Sequence, residues 1–495
     1  MTCIPGIKKV LIANRGEIAL RIARTLRRLE IASAAVVHAD DAESPAAQAV
    51  DEACAIEGPT PVAAYLDADQ IVAIAQRIGA DAIHPGYGFL AENADFADAV
   101  EAAGITWIGP SPEAIRLMGD KIESRRFVGS SGHPLTPSAN EEDDPATFVR
   151  RADEIGYPLL IKASAGGGGK GMQIVREASE LDRAIELARS EAERYFADGR
   201  IYAERYVDQP RHVEVQILAD AHGNVLHLGE RDCSIQRRFQ KLVEETPAPA
   251  MDDDLRARIC DQAVAIARAA NYRNAGTVEF VLAPNGEFFF LEMNTRLQVE
   301  HPVTEMVTGL DLVEQQIRVA AGEALAFSQD EICFEGASIE CRLCAEDPAA
   351  EFRPAVGELL LVRPPTGPGV RFDSGISQGQ HITTAFDPML AKLIVHGANR
   401  EEAIERARKA LSETIILGCT TNAAFLERVL GHPDFAAGRV ETGFIPKHAD
   451  ALADPDLDSD ERATILASAA LSNRDFIERV KAVPEPQASI GAWRN

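Results

Sequence analysis

The pattern of apolar positions predicts a parallel α/β region at the start of the chain. Residues 10–13 form an apolar run typical of a buried strand, and apolar side chains then recur at helical spacing from Ile18 to Leu29. A second apolar run follows at 34–37. The alternation continues, with a helix predicted at 71–78 and strands predicted at 82–83 and 105–108. This order of strand, helix and strand is typical of a parallel α/β domain.

The pattern changes further along the chain. The segment 130–145 is polar and rich in Pro and Ser, which predicts a linker. Residues 156–207 predict strand, glycine loop, strand, helix and strand, whereas β-hairpin signals dominate from Arg211 onward. Beyond Asp450 the chain is acidic and rich in Ala. We therefore predict four regions, namely 1–120, 121–207, 208–450 and 451–495.

Charge and cysteine usage narrow the functional classes. The net charge of -27 over 495 residues repels nucleic acid and anionic lipid, so anionic substrates must be held by locally placed Lys and Arg. No apolar run approaches the ~18 residues of a membrane span, and the start of the chain lacks a signal-peptide pattern. The eight scattered cysteines favour reduced thiols over a disulfide framework. We expect a cytoplasmic protein that binds neither membrane nor nucleic acid.

A glycine-rich segment lies between two predicted strands. The stretches 159–162 and 172–175 are strand-like, and residues 166–171 match the G-x-G-x-x-G dinucleotide pattern. That pattern requires a following helix, whereas a second strand follows here, so we predict a hairpin tipped with glycines. Backbone amides at such a tip can close over phosphate oxygens, which Lys162 could also reach. A surface loop without a ligand is the alternative that this segment leaves open.

A second predicted hairpin carries two carboxylates. Asn285-Gly286 is a strong two-residue turn signal between the strand-like stretches 277–282 and 287–293. With that turn, Glu279 lies directly opposite Glu292. Facing carboxylates repel each other, and a divalent cation such as Mg²⁺ or Mn²⁺ would turn the repulsion into attraction. The pairing depends on the turn, since a bulge would shift it by one residue.

The second strand of this hairpin extends the acidic face. Residues of one parity would line one face of an extended chain: Glu292, Asn294, Arg296, Gln298 and Glu300. Met293, Leu297 and Val299 would point the other way. The row would place metal ligands, a guanidinium and a further carboxylate side by side. A solvated sheet face without a ligand is the alternative.

These motifs belong to a longer series that occurs in one order over residues 7–445. The segments are 12–19 (IANRGEIA), 84–90 (HPGYGFL), 118–121 (MGDK), 162–172, 230–234 (ERDCS), 236–238 (QRR), 292–302 and 340–342 (ECR). On these segments the chain resembles the biotin carboxylase component of biotin-dependent carboxylases. Each motif is weak alone, but the full series is highly specific to this family.

The resemblance implies an ATP-grasp fold of mixed α/β and α+β class. A Rossmann-like domain with a parallel sheet would span 1–120, and a linker with a mobile ATP-grasp lid would span 121–207. The ATP-grasp core and a C-terminal antiparallel-sheet domain would span 208–450, followed by a C-terminal extension. The implied enzyme is an ATP-dependent ligase that uses ATP, Mg²⁺ or Mn²⁺, and bicarbonate to carboxylate biotin through carboxyphosphate.

The resemblance also implies roles for individual residues. Residues implied to bind ATP are Lys121, Lys162, Gly168, Gly169, Met172, Glu204, Arg205, Tyr206, Val207, His212, Gln236, Phe239, Glu279 and Glu292. The implied metal ligands are Glu279, Glu292 and Asn294. Residues implied to contact bicarbonate or biotin are Tyr87, Lys241, Arg296, Gln298, Val299, Glu300 and Arg342. Among them the implied catalytic roles are Glu300 as general base, Lys241 and Arg296 on bicarbonate, and Arg342 on the biotin enolate.

The implied chemistry accounts for these residue types. Bicarbonate is a poor nucleophile, so a carboxylate placed on its proton would assist attack on the γ-phosphate. The charge on the transferring phosphoryl group requires metal ions, lysines and backbone amides. A guanidinium such as that of Arg342 would stabilise the enolate oxygen of deprotonated biotin.

The sequence also bears on partners. No Met-Lys pair, the usual setting of a biotinylated lysine, occurs in the chain. We therefore expect biotin on a separate carrier protein or domain, a separate carboxyltransferase and, from the family, a homodimer. Residues 490–495 resemble the start of the next domain in longer acyl-CoA carboxylase α-subunits, so a stand-alone subunit and a piece of a longer chain both stay open.

Two alternatives stay open, and a departure from the family pattern motivates the second of them. Phe239 stands where the family usually has His, and a phenyl ring can stack but cannot hydrogen-bond, so nucleotide affinity or turnover is expected to differ. The first alternative is another ATP-grasp ligase, one that forms a carbamoyl or acyl phosphate; Lys241 and Arg342 argue against it. The second is a nucleotide-binding pseudoenzyme within a carboxylase complex.

Overall fold

The computed structural model describes residues 4–140, 145–164, 172–196, 198–455 and 458–472. By internal packing, one compact unit ends at Leu452 and a second begins at Ala453. The region boundaries at 120, 207 and 450 stay predictions. Within the described ranges, no helix combines the length and the apolarity that a membrane crossing requires.

A five-stranded parallel sheet opens the chain, in the order β3-β2-β1-β4-β5. Its strands are β1 (Lys9–Ile12), β2 (Ala32–His38), β3 (Glu52–Ile56), β4 (Ala82–His84) and β5 (Thr106–Trp107). The accompanying helices are α1 (Gly16–Arg28), α2 (Pro45–Ala49), α3 (Pro61–Tyr65), α4 (Ala68–Ile78), α5 (Ala94–Ala102), α6 (Pro112–Gly119) and α7 (Lys121–Ser130). The parallel strand pairing confirms the predicted sheet. The apolar stripe of α1, which includes Ile18 and Ile22, is buried against it.

A four-stranded antiparallel sheet follows, in the order β6-β9-β7-β8. Its elements are β6 (Ser138–Asn140), β7 (Leu159–Ala163), β8 (Gln173–Val175) and β9 (Ile201–Arg205), with α8 (Pro145–Ile155) and α9 (Leu181–Phe196). The predicted glycine-tipped hairpin is confirmed in its strands, since β7 pairs with β8. Its tip, with Gly168 and Gly169, lies outside the described residues. The prediction of a plain linker at 130–145 is wrong in part, because 138–140 pairs with β9.

The largest sheet has eight antiparallel strands, in the order β14-β13-β10-β11-β12-β15-β22-β20. Its first strands are β10 (Arg211–Ala219), β11 (Val225–Arg237), β12 (Gln240–Thr246), β13 (Asn274–Leu282), β14 (Phe288–Asn294) and β15 (Ala337–Cys344). The sheet is completed by β20 (Val370–Ser374) and β22 (Met389–Gly397). Six short strands form three separate two-stranded sheets: β16 (Glu346–Asp347) with β17 (Arg353–Pro354), β18 (Gly357–Glu358) with β21 (His381–Ile382), and β19 (Leu361–Arg363) with β23 (Ile415–Leu417). The predicted antiparallel sheet is therefore confirmed, and three small sheets accompany it.

Helices cover this large sheet and supply its core. They are α10 (Asp253–Ala269), α11 (His301–Thr308), α12 (Leu312–Ala320), α13 (Arg400–Glu413), α14 (Ala423–Gly431), α15 (Pro433–Ala436), α16 (Phe444–Lys447) and α17 (Ala449–Leu452). Ile259 and Ala263 of α10 pack with Val213 and Val278 of the sheet. In the second unit, α18 spans Ser459–Ser472.

Candidate active site

A cavity of about 410 Å³ is lined by the four-stranded sheet and by the eight-stranded sheet. The predicted site residues that line it are Lys121, Lys162, Met172, Glu204, Arg205, Tyr206, Val207, His212, Gln236, Phe239, Lys241, Glu279, Glu292, Asn294, Arg296, Gln298, Val299, Glu300 and Arg342. Strands far apart in sequence therefore bring the predicted nucleotide, metal and bicarbonate residues to one place.

Tyr87 lies elsewhere. It lines a second cavity of about 460 Å³, together with residues 14–18 and Phe386. Its hydroxyl is buried and has no hydrogen-bond partner among the described residues. Its assignment to biotin stays a prediction.

The two carboxylates of the β13–β14 hairpin face each other as predicted. Glu279 pairs with Glu292 across the two strands. The predicted two-residue turn is wrong, because Ala283 and Glu287 close a three-residue loop, in which Gly286 has φ +83°. A bulge between Glu279 and Phe280 then offsets the register by one residue. Two one-residue deviations cancel, and the carboxylate pair results.

The predicted extended row beyond Glu292 is only partly right. Strand β14 ends at Asn294, so the following residues do not form one strand face. Arg296, Gln298 and Glu300 still reach the cavity, and Val299, predicted to point away, lines it as well. A turn and the start of α11 replace the strand, because Glu300 directly precedes that helix.

Glu279 and Glu292, the two carboxylates predicted to bind metal, have basic neighbours. The Nζ atom of Lys121 lies 3.0 Å from Oε2 of Glu292, and Nε2 of His212 lies 2.8 Å from Oε2 of Glu279. Burial would lower the pKa of His212, but Glu279 raises it above its ordinary value. Glu279, Glu292 and Asn294 together offer carboxylate and amide oxygens, the hard ligands that Mg²⁺ prefers. The donor set therefore fits a divalent cation.

Lys241 links Glu279, a predicted metal ligand, to Glu300, the predicted general base. Its Nζ atom donates to Glu214 at 2.5 Å, to Glu279 at 2.9 Å and to Glu300 at 2.6 Å. Burial would lower the pKa of Lys241, but these three carboxylates raise it well above its ordinary value. The ammonium charge is therefore fixed at the centre of the site.

Glu300 stands between two cations. Besides Lys241, Arg342 donates from Nη2 to its Oε2 atom at 3.0 Å. Burial would raise the pKa of Glu300, but the two cations lower it below its ordinary value. The carboxylate is therefore ionised at neutral pH, the state in which it can accept a proton.

A buried network beneath the cavity went unpredicted. Arg231 has 0% exposure and donates to five side chains, which are Glu214, Gln216, Thr277, Gln298 and Thr304. Glu214 lies two residues from His212 on β10, so strand alternation was the signal that could have found it. Arg231 lies within the matched segment 230–234, but its five partners come from four separate parts of the chain, because Glu214 and Gln216 share β10.

A strained turn places Phe239 at the rim of the cavity. Arg237 pairs with Gln240 across β11 and β12, so Arg238 and Phe239 form a two-residue turn. Both turn residues have left-handed backbones, at φ +48° and φ +68°, which cost energy in residues other than Gly. The phenyl ring is 47% exposed and lines the cavity.

A sheet with facing carboxylates, covered by a second sheet that carries a buried lysine, defines an ATP-grasp ligase. Family models match the chain in three segments. The biotin carboxylase N-terminal domain matches residues 6–115, the ATP-binding domain of the carbamoyl-phosphate synthase L chain matches 120–328, and the biotin carboxylase C-terminal domain matches 340–447. The chain belongs to the biotin carboxylase family. It is an ATP-dependent ligase that carboxylates biotin with bicarbonate.

Individual relatives agree with this assignment. The biotin carboxylase of Nostoc sp. is 49% identical over 438 residues, which cover 88% of this chain and 98% of the relative. The α subunit of mitochondrial methylcrotonoyl-CoA carboxylase of Dictyostelium discoideum is 45% identical over 495 residues, covering 99% of this chain and 71% of the relative.

A solved structure shares the fold. The biotin carboxylase domain dimer of Hydrogenobacter thermophilus 2-oxoglutarate carboxylase was crystallised with MgADP, ADP and bicarbonate. It matches with a TM-score of 0.88 at 44% identity, over 91% of this chain and 99% of that chain.

Proposed function

We propose that the residues lining this cavity catalyse the carboxylation of biotin held by a separate carrier. This reaction would be the first half-reaction of an acyl-CoA carboxylase. The convergence of Lys241 and Arg342 on one ionised, buried carboxylate, Glu300, carries this proposal. A cation that would hold bicarbonate and a guanidinium that would hold an enolate thus flank the base that connects the two substrates.

The nucleotide would lie between the two sheets. Lys121 and Lys162 would hold its phosphates under the glycine hairpin, and residues 204–207 would contact its base. Lys162, predicted to bind phosphate, forms an ion pair with Glu204, predicted to contact the adenine base. The ion pair links the two predicted parts of the nucleotide site. Glu279, Glu292 and Asn294 would hold Mg²⁺ or Mn²⁺, which, when bound, neutralises charge on the transferring phosphoryl group.

Bicarbonate would lie against Lys241, Arg296 and the backbone amide of Val299. Glu300 would accept its proton as it attacks the γ-phosphate, and the low pKa of Glu300 keeps the carboxylate ready. Arg342 would then stabilise the enolate oxygen of biotin, because a guanidinium donates charge-assisted hydrogen bonds to an oxyanion.

Partners and location follow the family. A biotin carrier and a carboxyltransferase would supply the other half-reaction, and the name of the D. discoideum relative supports an acyl-CoA as the acceptor. A homodimer is supported by the dimer of the H. thermophilus domain. A cytoplasmic location is supported by the free state of the cysteines in the described part of the chain.

Free biotin and bicarbonate test the proposal. The chain should release ADP from MgATP only with bicarbonate, and free biotin should accelerate the release. Arg342→Met should abolish the acceleration and leave MgATP binding intact. Arg400→Met is the matched control, because Arg400 makes an equivalent pair with the buried Glu245, outside the cavity. MgATP binding without turnover would favour a pseudoenzyme, and stimulation by an amine would favour another ATP-grasp ligase.

A further inference from the structure

Arg342 is held between two carboxylates, and only one of them has a role in the reaction as proposed. Its Nε atom donates to Oε1 of Glu244 at 2.6 Å, and its Nη2 atom lies near both Glu244 and Glu300. Among the described residues, no hydrogen bond engages Nη1. Glu244 has 0% exposure and does not line the cavity. Glu244 therefore binds the guanidinium from outside the cavity, which Arg342 itself lines.

The sheet register explains this arrangement. Glu244 on β12 lies directly opposite Glu340 on β15, and Arg342 lies two residues further along β15, on the same face. Lys392 on β22 lies directly opposite Arg342 and donates to the backbone oxygen of Val299 at 2.8 Å. The layer of charged residues on these strands therefore underlies both Arg342 and the turn that carries Glu300.

The second carboxyl of the layer is buried without hydrogen-bond partners. Both oxygens of Glu340, and Oε2 of Glu244, lack a partner among the described residues. Burial raises the pKa of both carboxyls, and the charge of Glu300 raises both further, although Arg342 acts in the opposite direction. The charge of Glu244 also raises the pKa of Glu340. The ionisable groups around the pair are Arg342, Lys392, Glu300, Lys241 and Cys341. A proton held by Glu340, whose oxygens have no hydrogen-bond partner among the described residues, would remove the repulsion of two facing carboxylates and leave Glu244 charged against Arg342.

The anchor matters because Arg342 and Glu300 have separate tasks. A guanidinium that is free to move pairs with a carboxylate through two parallel hydrogen bonds. Such a pairing with Glu300 would occupy the base and withdraw Arg342 from the enolate. Glu244 opposes it, since it already binds two nitrogen atoms of the guanidinium.

We propose that Glu244 is a positioning residue, which anchors Arg342 from beneath so that the guanidinium does not pair fully with Glu300. The inference rests on the proposed role of Arg342 toward biotin. It assigns Glu244 to the biotin half of the reaction and leaves MgATP binding to other residues.

Glu244→Gln tests the anchor, because it keeps the shape and one acceptor but removes the charge. The turnover number for biotin-dependent ADP release should fall about tenfold, because a charge-assisted hydrogen bond is about twice as strong as a neutral one and the difference in free energy corresponds to roughly that factor in rate. The KM for free biotin should rise, and the Kd for MgATP, measured by calorimetry, should not change. The turnover number of Glu244→Asp, which keeps the charge on a shorter side chain, should lie between that of Glu244→Gln and that of the wild type.

Glu245→Gln is the matched control. Glu245 is the next residue of β12, is also buried and binds Nε and Nη2 of Arg400 through its two carboxylate oxygens, at 2.6 Å and 3.1 Å. The Glu245→Gln variant should keep the wild-type KM for biotin. Wild-type kinetics in Glu244→Gln, or an equal loss in Glu245→Gln, would overturn the inference. A wild-type chain without any biotin-dependent turnover would instead refute the proposed function.

Discussion

The most direct physical test concerns Glu204, which lines the cavity and joins three elements on the side where nucleotide is predicted to bind. On β9, it pairs with Lys162 of β7 and with Arg125 of α7, whose Nη1 atom lies 2.9 Å from Oε2. Thr136 donates to the same oxygen at 2.8 Å. Burial would raise the pKa of Glu204, but Lys162 and Arg125 lower it to about 2. The perturbation is Glu204→Gln, which removes the charge and keeps the shape.

Two routes give the magnitude. A fall in pKa from the ordinary 4.5 to about 2 is equivalent to about 3 kcal/mol of folding stability. Breaking a buried ion pair by removing one partner costs about 3–5 kcal/mol. Because the folded pKa is depressed, this stability is fully present above pH 4.5 and is lost as the pH falls from 4.5 toward 2.

Hydrogen exchange of the β7 and β9 amides measures the opening free energy of this sheet directly. The opening free energy of the wild type should exceed that of Glu204→Gln by about 3 kcal/mol between pH 5.5 and 8. At pH 4 this difference should be smaller by about 1 kcal/mol. Glu154→Gln is the control, since Glu154 pairs with Arg150 on the exposed surface of α8, where a pair contributes about 0.5 kcal/mol. A difference below about 1 kcal/mol at neutral pH, or one that grows on acidification, would refute the reasoning.

Substitutions at two further residues probe the network beneath the cavity and the rim of the cavity. Arg231→Met should destabilise the fold by about 3–5 kcal/mol in denaturant unfolding, because it removes five buried hydrogen bonds and leaves Glu214 with one cation fewer. Arg231→Lys should not restore the loss, since an ammonium cannot reproduce the geometry of a guanidinium. Phe239→His should lower the Kd for MgATP about fivefold, because an imidazole adds a hydrogen bond of about 1 kcal/mol at the rim. An unchanged Kd would show that the ring at this position contributes only packing.

The candidate site was predictable wherever the relevant chemistry lies within one short segment. Lys162 and Glu300 belong to motifs whose order identified the family, and the run 204–207 was assigned from that resemblance; all of them line one cavity. The pairing of Glu279 with Glu292 was predicted for an incomplete reason, since the turn is one residue longer than expected and a bulge cancels the error. Local turn signals cannot reveal such a bulge, because it depends on packing along the whole strand.

What the sequence determined by itself is the family and most of the elements, and it predicted the candidate reacting groups, because periodicity and motif spacing are local properties of the chain. Only the tertiary structure decided which buried charges become partners. Glu244 meets Glu340 because β12 lies beside β15, and Arg231 meets its partners because α11 and β13 approach β10 and β11. Sheet order sets these contacts across long stretches of sequence, and burial in a low dielectric then fixes which carboxyls stay charged.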